Sequence, residues 1–427
     1  MRVLWVCNIM PPIIGQYLGK ECSVKEGWIT GILMRLAKEK EEVELGICYP
    51  VEDAKEEGKN EIIIENKKKV ICYGFMEDMV HPEIYGGDKL EKRMGEIVAD
   101  FQPEILHIFG TEFGHAMAAA KAFDDPKHTL VGLQGVISEC AREYMADLPL
   151  KVQQSVSFRD RLKQDSLKQQ QEKFYLRGER EKEVLTLCQN VTGRTAFDKE
   201  AAKKINPKVS YHFMNETMRK EFYEGKWNYG ACEKYRIFFS QADYPLKGFH
   251  YLLQALELIK EKYPEVTVAV AGNSLVNYHT IKDKIKISAY GKYLRKFIKE
   301  LKMEDKITFL GKLSAEEMKQ QYLKCHTFVC ASSLENSPNS VGEAMLLGVP
   351  VVASYAGGIP SMLEHEKEGL LFEKGNSKAL AEAVMRTWES YTTVSEITKN
   401  AAVRARKTHN GDENYKRLLE IYQEIVK

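Results

Sequence analysis

The sequence predicts an α/β protein built as two parallel-sheet domains, and three observations carry that expectation. The chain has 427 residues, more than one hydrophobic core normally serves. Short β-branched apolar runs alternate with stretches of helical periodicity, the pattern of strands joined by crossover helices. That alternation runs twice, on either side of a polar, glycine-bearing stretch at 216–234. The expected division is 1–220 and 221–412, with a last helix at 413–427.

In the first half, Val3 to Cys7 reads as an opening strand, apolar for too few residues to be a signal peptide. A loop from Asn8 to Trp28 carries Pro11, Pro12, Gly15 and Gly27. It leads to a helix with Ile29, Ile32, Leu33 and Leu36 on one face. Strands follow at 43–48 and 69–73, then a helix bearing Leu90, Met94, Ile97 and Val98. A strand at 105–110 and strand-like runs at 130–133, 190–192 and 209–213 complete the series. Such sheets place their chemistry at the carboxyl ends of the strands, where His107, Gln134 and Gly193-Arg194-Thr195 fall. The amide of Gln134 can hydrogen-bond but cannot take a proton at working pH; capping a strand end is the alternative role. Arg194 and Thr195 set a cation and a hydroxyl together, suited either to an oxyanion or to an ion pair between domains.

In the second half, two buried strands at 327–331 and 349–353 enclose a loop and a short helix. Asn339 or Ser340 can cap that helix, Ala344 to Leu347 favour continuing it, and Gly348 stops it. Glu335 in the loop and Glu343 in the expected first turn frame the uncovered amides of the helix start. Those amides suit an anion, and a carboxylate beside them can accept hydrogen bonds from vicinal hydroxyls. The alternative is that Glu343 complements the helix dipole and Glu335 is solvated. Upstream, Lys247-Gly248 lies in a strand-to-helix loop, and Gly311-Lys312-Leu313 follows a strand at 307–310.

The stretch Glu335 to Ala344, with Gly348-Val349-Pro350-Val351-Val352-Ala353 and Gly357-Gly358-Ile359-Pro360, resembles the donor-site signature of retaining glycosyltransferases of family 4. The resemblance implies a GT-B fold, two Rossmann-like domains facing an interdomain cleft, with the last helix packing back on the first domain. It implies that Glu335 faces the donor sugar, Glu343 holds the nucleotide ribose, and the backbone of Asn339, Ser340 and Val341 faces the diphosphate. Lys247 with Gly248 matches the phosphate-binding lysine, and Lys312 and Leu313 match the segment facing the base. Gly15 matches a glycine loop near donor and acceptor, and Gln134 falls where family members often carry a histidine. His107 and Thr195 join Gln134 as candidates for the acceptor side. Asn336-Ser337-Pro338 stands where Pro-Phe-Gly is usual, and Ser240-Gln241-Ala242 stands where an arginine is usual. Arg194, another basic residue or backbone amides would then supply the missing charge.

The implied function is retaining transfer of a sugar from a UDP- or GDP-linked donor to a hydroxyl of a glycan or lipid-linked acceptor, in cell-surface polysaccharide biosynthesis. The nucleotide-sugar is a substrate, and no cofactor or metal is expected, since the sequence has no Asp-x-Asp pair. Two rivals are a GT-B protein that binds a nucleotide-sugar or glycan without turnover, and a nucleotide-sugar epimerase. The absence of Gly-x-Gly-x-x-Gly after the first strand weighs against a dinucleotide-dependent dehydrogenase.

With 62 basic and 61 acidic residues, the chain has no overall attraction to nucleic acid. Nine cysteines without a Cys-x-x-Cys fit buried thiols in a reducing cytoplasm. Two segments depart from charge balance: 151–183 has nine basic and six acidic side chains, and 282–302 has eight and two. The first reads either as a solvated helix or as a helical hairpin facing an acceptor or an anionic membrane, the second either as a basic solvated insertion or as a peripheral contact with anionic lipid.

Overall fold

A computed structural model describes residues 1–20, 27–38, 43–64, 68–277 and 280–427. Contacts divide the chain into one unit of 1–139, 174–219 and 408–427 and another of 140–173 and 220–407. Residues 140–173 therefore group with the second unit, not with the first 220 residues as the sequence suggests. The cause is local bonding: His250 Nε2 meets the Ala146 carbonyl at 2.7 Å, Tyr251 donates to Asp147 at 2.6 Å, and Lys374 donates to Glu143 at 2.7 Å.

Among the described residues the first unit holds eight strands: β1 (Arg2–Val6), β2 (Glu44–Val51), β3 (Lys59–Ile64), β4 (Lys68–Met76), β5 (Ile105–Phe109), β6 (Thr129–Gly132), β7 (Asn190–Gly193) and β8 (Ser210–Phe213). Their order is β3-β4-β2-β1-β5-β6-β7-β8. Every pair is parallel except β3 with β4, which forms an antiparallel edge. The sequence reading missed β3 because its first three residues, Lys59-Asn60-Glu61, are exposed and polar. The helix Gly411–Ile425 buries Tyr415, Leu418, Ile421 and Tyr422 in the same core as Val3 and Trp5. Trp5 Nε1 donates to Tyr422 Oη at 2.9 Å, so the two ends of the chain share a buried polar contact.

The second unit holds β9 (Arg236–Phe239), β10 (Thr267–Val270), β11 (Ile307–Phe309), β12 (Thr327–Cys330), β13 (Val351–Tyr355) and β14 (Leu370–Glu373). They run all parallel in the order β11-β10-β9-β12-β13-β14. The chain builds outward from β9 to β11, then returns to lay β12 on the other side of β9. Where neighbouring connections part in opposite directions, a crevice opens at the carboxyl edge, and here it lies between β9 and β12. Phe238 and Phe328, both fully buried, together with Tyr322 fix these two strands from below.

Three local expectations change. Gly15 lies not in a loop but in a short helix, Pro12–Tyr17, whose start the fixed φ of Pro12 favours. Residues 21–26 of the expected loop lie outside those described. The stretch 151–183 is not one helix but runs through parts of three, Leu150–Gln153, Phe158–Lys163 and Leu167–Thr186. The helix Tyr391–Thr408 was not foreseen, its threonines and mixed charges giving no clear apolar stripe.

Candidate functional site

The loops after β9 and β12 meet at the crevice between them. After β9 the chain makes a 3-10 turn, Pro245–Lys247, and passes through Gly248 into the helix Phe249–Lys262. Gly248 has φ +71°, and a Cβ there would stand 1.9 Å from the Ala331 carbonyl oxygen, so only glycine lets the two loops close. Across the gap, Lys247 Nζ lies 2.7 Å from Glu335 Oε1. Ser332 Oγ donates to the same carboxylate oxygen at 2.7 Å. The Lys247 ammonium also lies 5.5 Å from the Tyr244 ring. Burial opposes the charge on Lys247, but Glu335 and Tyr244 outweigh it and raise the ammonium above its ordinary range. The lysine is therefore cationic at any working pH.

Glu335 is anchored through its backbone as well. Gly358 N–H donates to the Glu335 carbonyl at 2.9 Å, and a Cβ on Gly357, φ +53°, would reach 2.1 Å from that oxygen. Ser354 Oγ, donating to the Ser332 carbonyl at 2.6 Å, ties β13 to the same loop. The sequence reading named Glu335 and Lys247 but missed Tyr244, Ser332 and Ser354. Their only signal is position, at the carboxyl ends of adjoining strands.

The helix that follows spans Asn339–Leu347 and is capped by Pro338, not by Asn339 or Ser340 as expected. No side chain caps it, and it begins with Asn339 already inside the first turn. Glu343 consequently lies beyond the first turn. It is buried, 3% exposed, with Tyr322 Oη 3.3 Å from its Oε2 and 3.0 Å from the Ser340 carbonyl. The early amides of such a helix have no acceptor within it, apart from Val341, which donates to the Pro338 carbonyl at 3.0 Å. Gly348, φ +71°, ends the helix as expected.

Lys312 and Leu313 follow β11, two strands away from β9 in the sheet. Lys312 is exposed, and the preceding Gly311 accepts from Gly272 N–H at 2.8 Å.

In the first unit His107, Gln134 and Arg194 line one small cavity of about 30 Å³, room for about one water. His107 is fully buried, and burial lowers its ring to about 3, so it is neutral. Its Nδ1 is 2.7 Å from Tyr422 Oη, and its Nε2 has no hydrogen-bond partner among the described residues. Arg194 is paired with Glu216, both largely buried. Thr195 is not a lining residue; it caps the helix Ala196–Ile205, its hydroxyl accepting from Asp198 N–H at 3.1 Å. Gly15 is buried in its own helix, bonded to the Pro11 carbonyl at 3.1 Å. A second buried group lies at the ends of β4 and β5, where Glu77 meets His115 Nδ1 at 2.5 Å. Nothing in the sequence reading pointed to it.

Residues 226–404 match the family described as Glycosyl transferases group 1. Among curated relatives, YtcC of Bacillus subtilis (strain 168), named as a glycosyltransferase, is 26% identical over 200 residues, covering 46% of this chain and 47% of that protein. The amylovoran biosynthesis glycosyltransferase AmsK of Erwinia amylovora is 28% identical over 130 residues, covering 29% and 32%. The alignments thus span about half or less of these relatives' own length. Among solved structures, sucrose-phosphate synthase from Thermosynechococcus elongatus superposes with a TM-score of 0.70 at 14% identity, over 100% of this chain and 99% of that one. HepE of Anabaena in complex with UDP-glucose superposes with a TM-score of 0.67 at 17% identity, over 99% and 100%.

The fold is therefore GT-B, two Rossmann-like domains of the kind these glycosyltransferase structures share. The segment that matches the group 1 glycosyltransferase family, 226–404, contains Lys247, Glu335 and Glu343.

Proposed function

We propose that this chain is a retaining glycosyltransferase that moves a sugar from a UDP- or GDP-linked donor to a hydroxyl of a glycan or lipid-linked acceptor. The observation that carries this reading is the Lys247–Glu335 pair at the crevice between β9 and β12, beside the amide-rich start of the helix Asn339–Leu347. The family match over the same segment and the naming of AmsK for polysaccharide biosynthesis support it.

On this reading the donor diphosphate lies against the helix amides and competes with Glu335 for the Lys247 ammonium. As the bond from sugar to phosphate breaks, charge grows on the leaving diphosphate. A fixed cation and fixed amides stabilise that charge without reorganising. Glu335, released from part of its pairing with Lys247 but still held by Ser332, faces the sugar. Glu343 accepts from the ribose hydroxyls, Gly248 admits the close approach of the loops, and Lys312 and Leu313 flank the base through their main chain. Acceptor recognition is assigned to the first unit, with Gln134 and His107 as neutral hydrogen-bonding groups. Thr195 and Gly15 act there through the backbone they position, and Arg194 supplies positive charge once it trades Glu216 for an anion. The leaving phosphate assists removal of the acceptor proton, and no metal takes part. The setting is cell-surface polysaccharide assembly, in the cytoplasm and peripherally at the inner face of the membrane.

The deciding experiment is incubation with a panel of nucleotide-sugars in EDTA. Release of UDP or GDP supports transfer chemistry. Binding without release supports a non-catalytic binder, and interconversion of donor epimers supports an epimerase.

A further inference from the structure

Two short helices of the second unit, Phe158–Lys163 and Ile281–Lys286, lie side by side. The segment after the second is tied to the first by Ala289 N–H, which donates to Asp160 at 2.8 Å. Each helix turns an apolar pair four residues apart toward solvent. Phe158 and Leu162 are 64% and 74% exposed, Ile281 and Ile285 78% and 50%. Residues at that spacing share a helix face.

The acids of both helices are used internally. Asp160 is 1% exposed and closes a capping box with Ser157, while Asp283 closes one with Thr280. Among the described side chains, the exposed charges on these helices are Arg161, Lys163, Lys284 and Lys286, all positive. The next helix, Ala289–Glu300, adds exposed Lys292, Lys296 and Lys299, with Glu300 3.5 Å from Lys296.

We propose that this surface docks on an anionic phospholipid bilayer. Large apolar side chains set among cations match the two layers of such a membrane: a negative headgroup plane and, beneath it, the start of the acyl region. A nucleic acid backbone would be served by the cations alone and would leave four apolar side chains in water. The proposal deepens the membrane-side reading above and rests on it for its purpose, since a transferase with a lipid-linked acceptor gains by being held where that acceptor lies.

The test uses the full chain, sedimented with vesicles of phosphatidylcholine alone or with about one-third phosphatidylglycerol. The protein should bind the anionic vesicles about ten-fold or more tightly than the neutral ones, and more weakly as salt rises. Arg161→Glu with Lys163→Glu and Lys284→Glu should bring binding to the neutral-vesicle level. Phe158→Ser with Leu162→Ser should weaken it at low and high salt alike. Both variants alter exposed positions and should keep the wild-type melting temperature and nucleotide affinity. Equal binding to both vesicle types, wild-type binding by either variant, or tighter binding to transfer RNA than to anionic vesicles would overturn the proposal. Loss of nucleotide binding by wild-type protein that still binds anionic vesicles would sink the donor-site reading and leave this one standing.

Discussion

Lys247 Nζ lies 2.7 Å from Glu335 Oε1 although 88 positions separate them in the chain. The pair joins the loops after β9 and β12 and holds a partly buried cation at the crevice, with Ser332 donating to the same carboxylate and the Tyr244 ring nearby. If that cation stabilises the departing diphosphate, Lys247→Ala should lower kcat about 10²- to 10³-fold while weakening donor affinity much less. Steady-state kinetics with the donor found by panel screening checks this, and wild-type kcat would remove Lys247 from the mechanism.

Glu343 is buried under Tyr322 in the helix that carries the proposed phosphate-binding amides. Glu343→Gln keeps its volume but removes the charge that ribose hydroxyls would meet. Calorimetric affinity for UDP or GDP should fall by about 1–3 kcal/mol. An unchanged value would leave Glu343 a purely structural acid.

Gly248 is required by both its backbone angle and its neighbour. Gly248→Ala would force a β-carbon into the Ala331 carbonyl at φ +71°, which should cost about 2–4 kcal/mol of stability. Urea unfolding measures it directly. Loss of stability together with loss of nucleotide affinity would show that the loop contact shapes the crevice; a neutral substitution would contradict it.

Four buried histidines predict acid sensitivity. Burial lowers the ring of His107 to about 3 and those of His250, His326 and His409 to about 4. In the unfolded chain these rings protonate near pH 6.5, while in the folded chain they stay neutral well below that (about pH 6.5 unfolded). Their contribution to stability is therefore complete above the unfolded value and is lost as pH falls toward the folded values. Each ring accounts for up to about 1.4 kcal/mol per pH unit across that window. Urea midpoints taken between about pH 7.5 and 4.5 should fall steeply. His107→Gln should make the fall shallower by one proton, and an identical slope would show that His107 titrates normally.

Much of this architecture was legible from periodicity, because parallel strands buried on both faces appear as short apolar runs whatever surrounds them. The run 327–331 and the glutamates after it were readable for that reason, as was Gly348 at the helix end. The site itself was only half legible. Tyr322 reaches Glu343 from a preceding helix, and Ser354 on β13 holds the Ser332 carbonyl beside Glu335, contacts that no local spacing records. The shift of the cap from Asn339 to Pro338 reflects backbone angles that a fixed proline φ favours over a side-chain oxygen. Glu77 and His115 went unnoticed because they meet only after β4 and β5 are brought into one sheet. Arg194 was visible as a cation at a strand end, but its commitment to Glu216 depends on β7 and β8 pairing in parallel, which brings the segments after them together.

The central claim is that the nucleotide diphosphate occupies the crevice between β9 and β12. Crystals of the full chain grown with UDP or GDP test it most directly. The account predicts difference density for the diphosphate against the first amides of the helix Asn339–Leu347, with Lys247 Nζ drawn from Glu335 onto a phosphate oxygen. Density for the diphosphate elsewhere, with the Lys247–Glu335 contact intact, would contradict it.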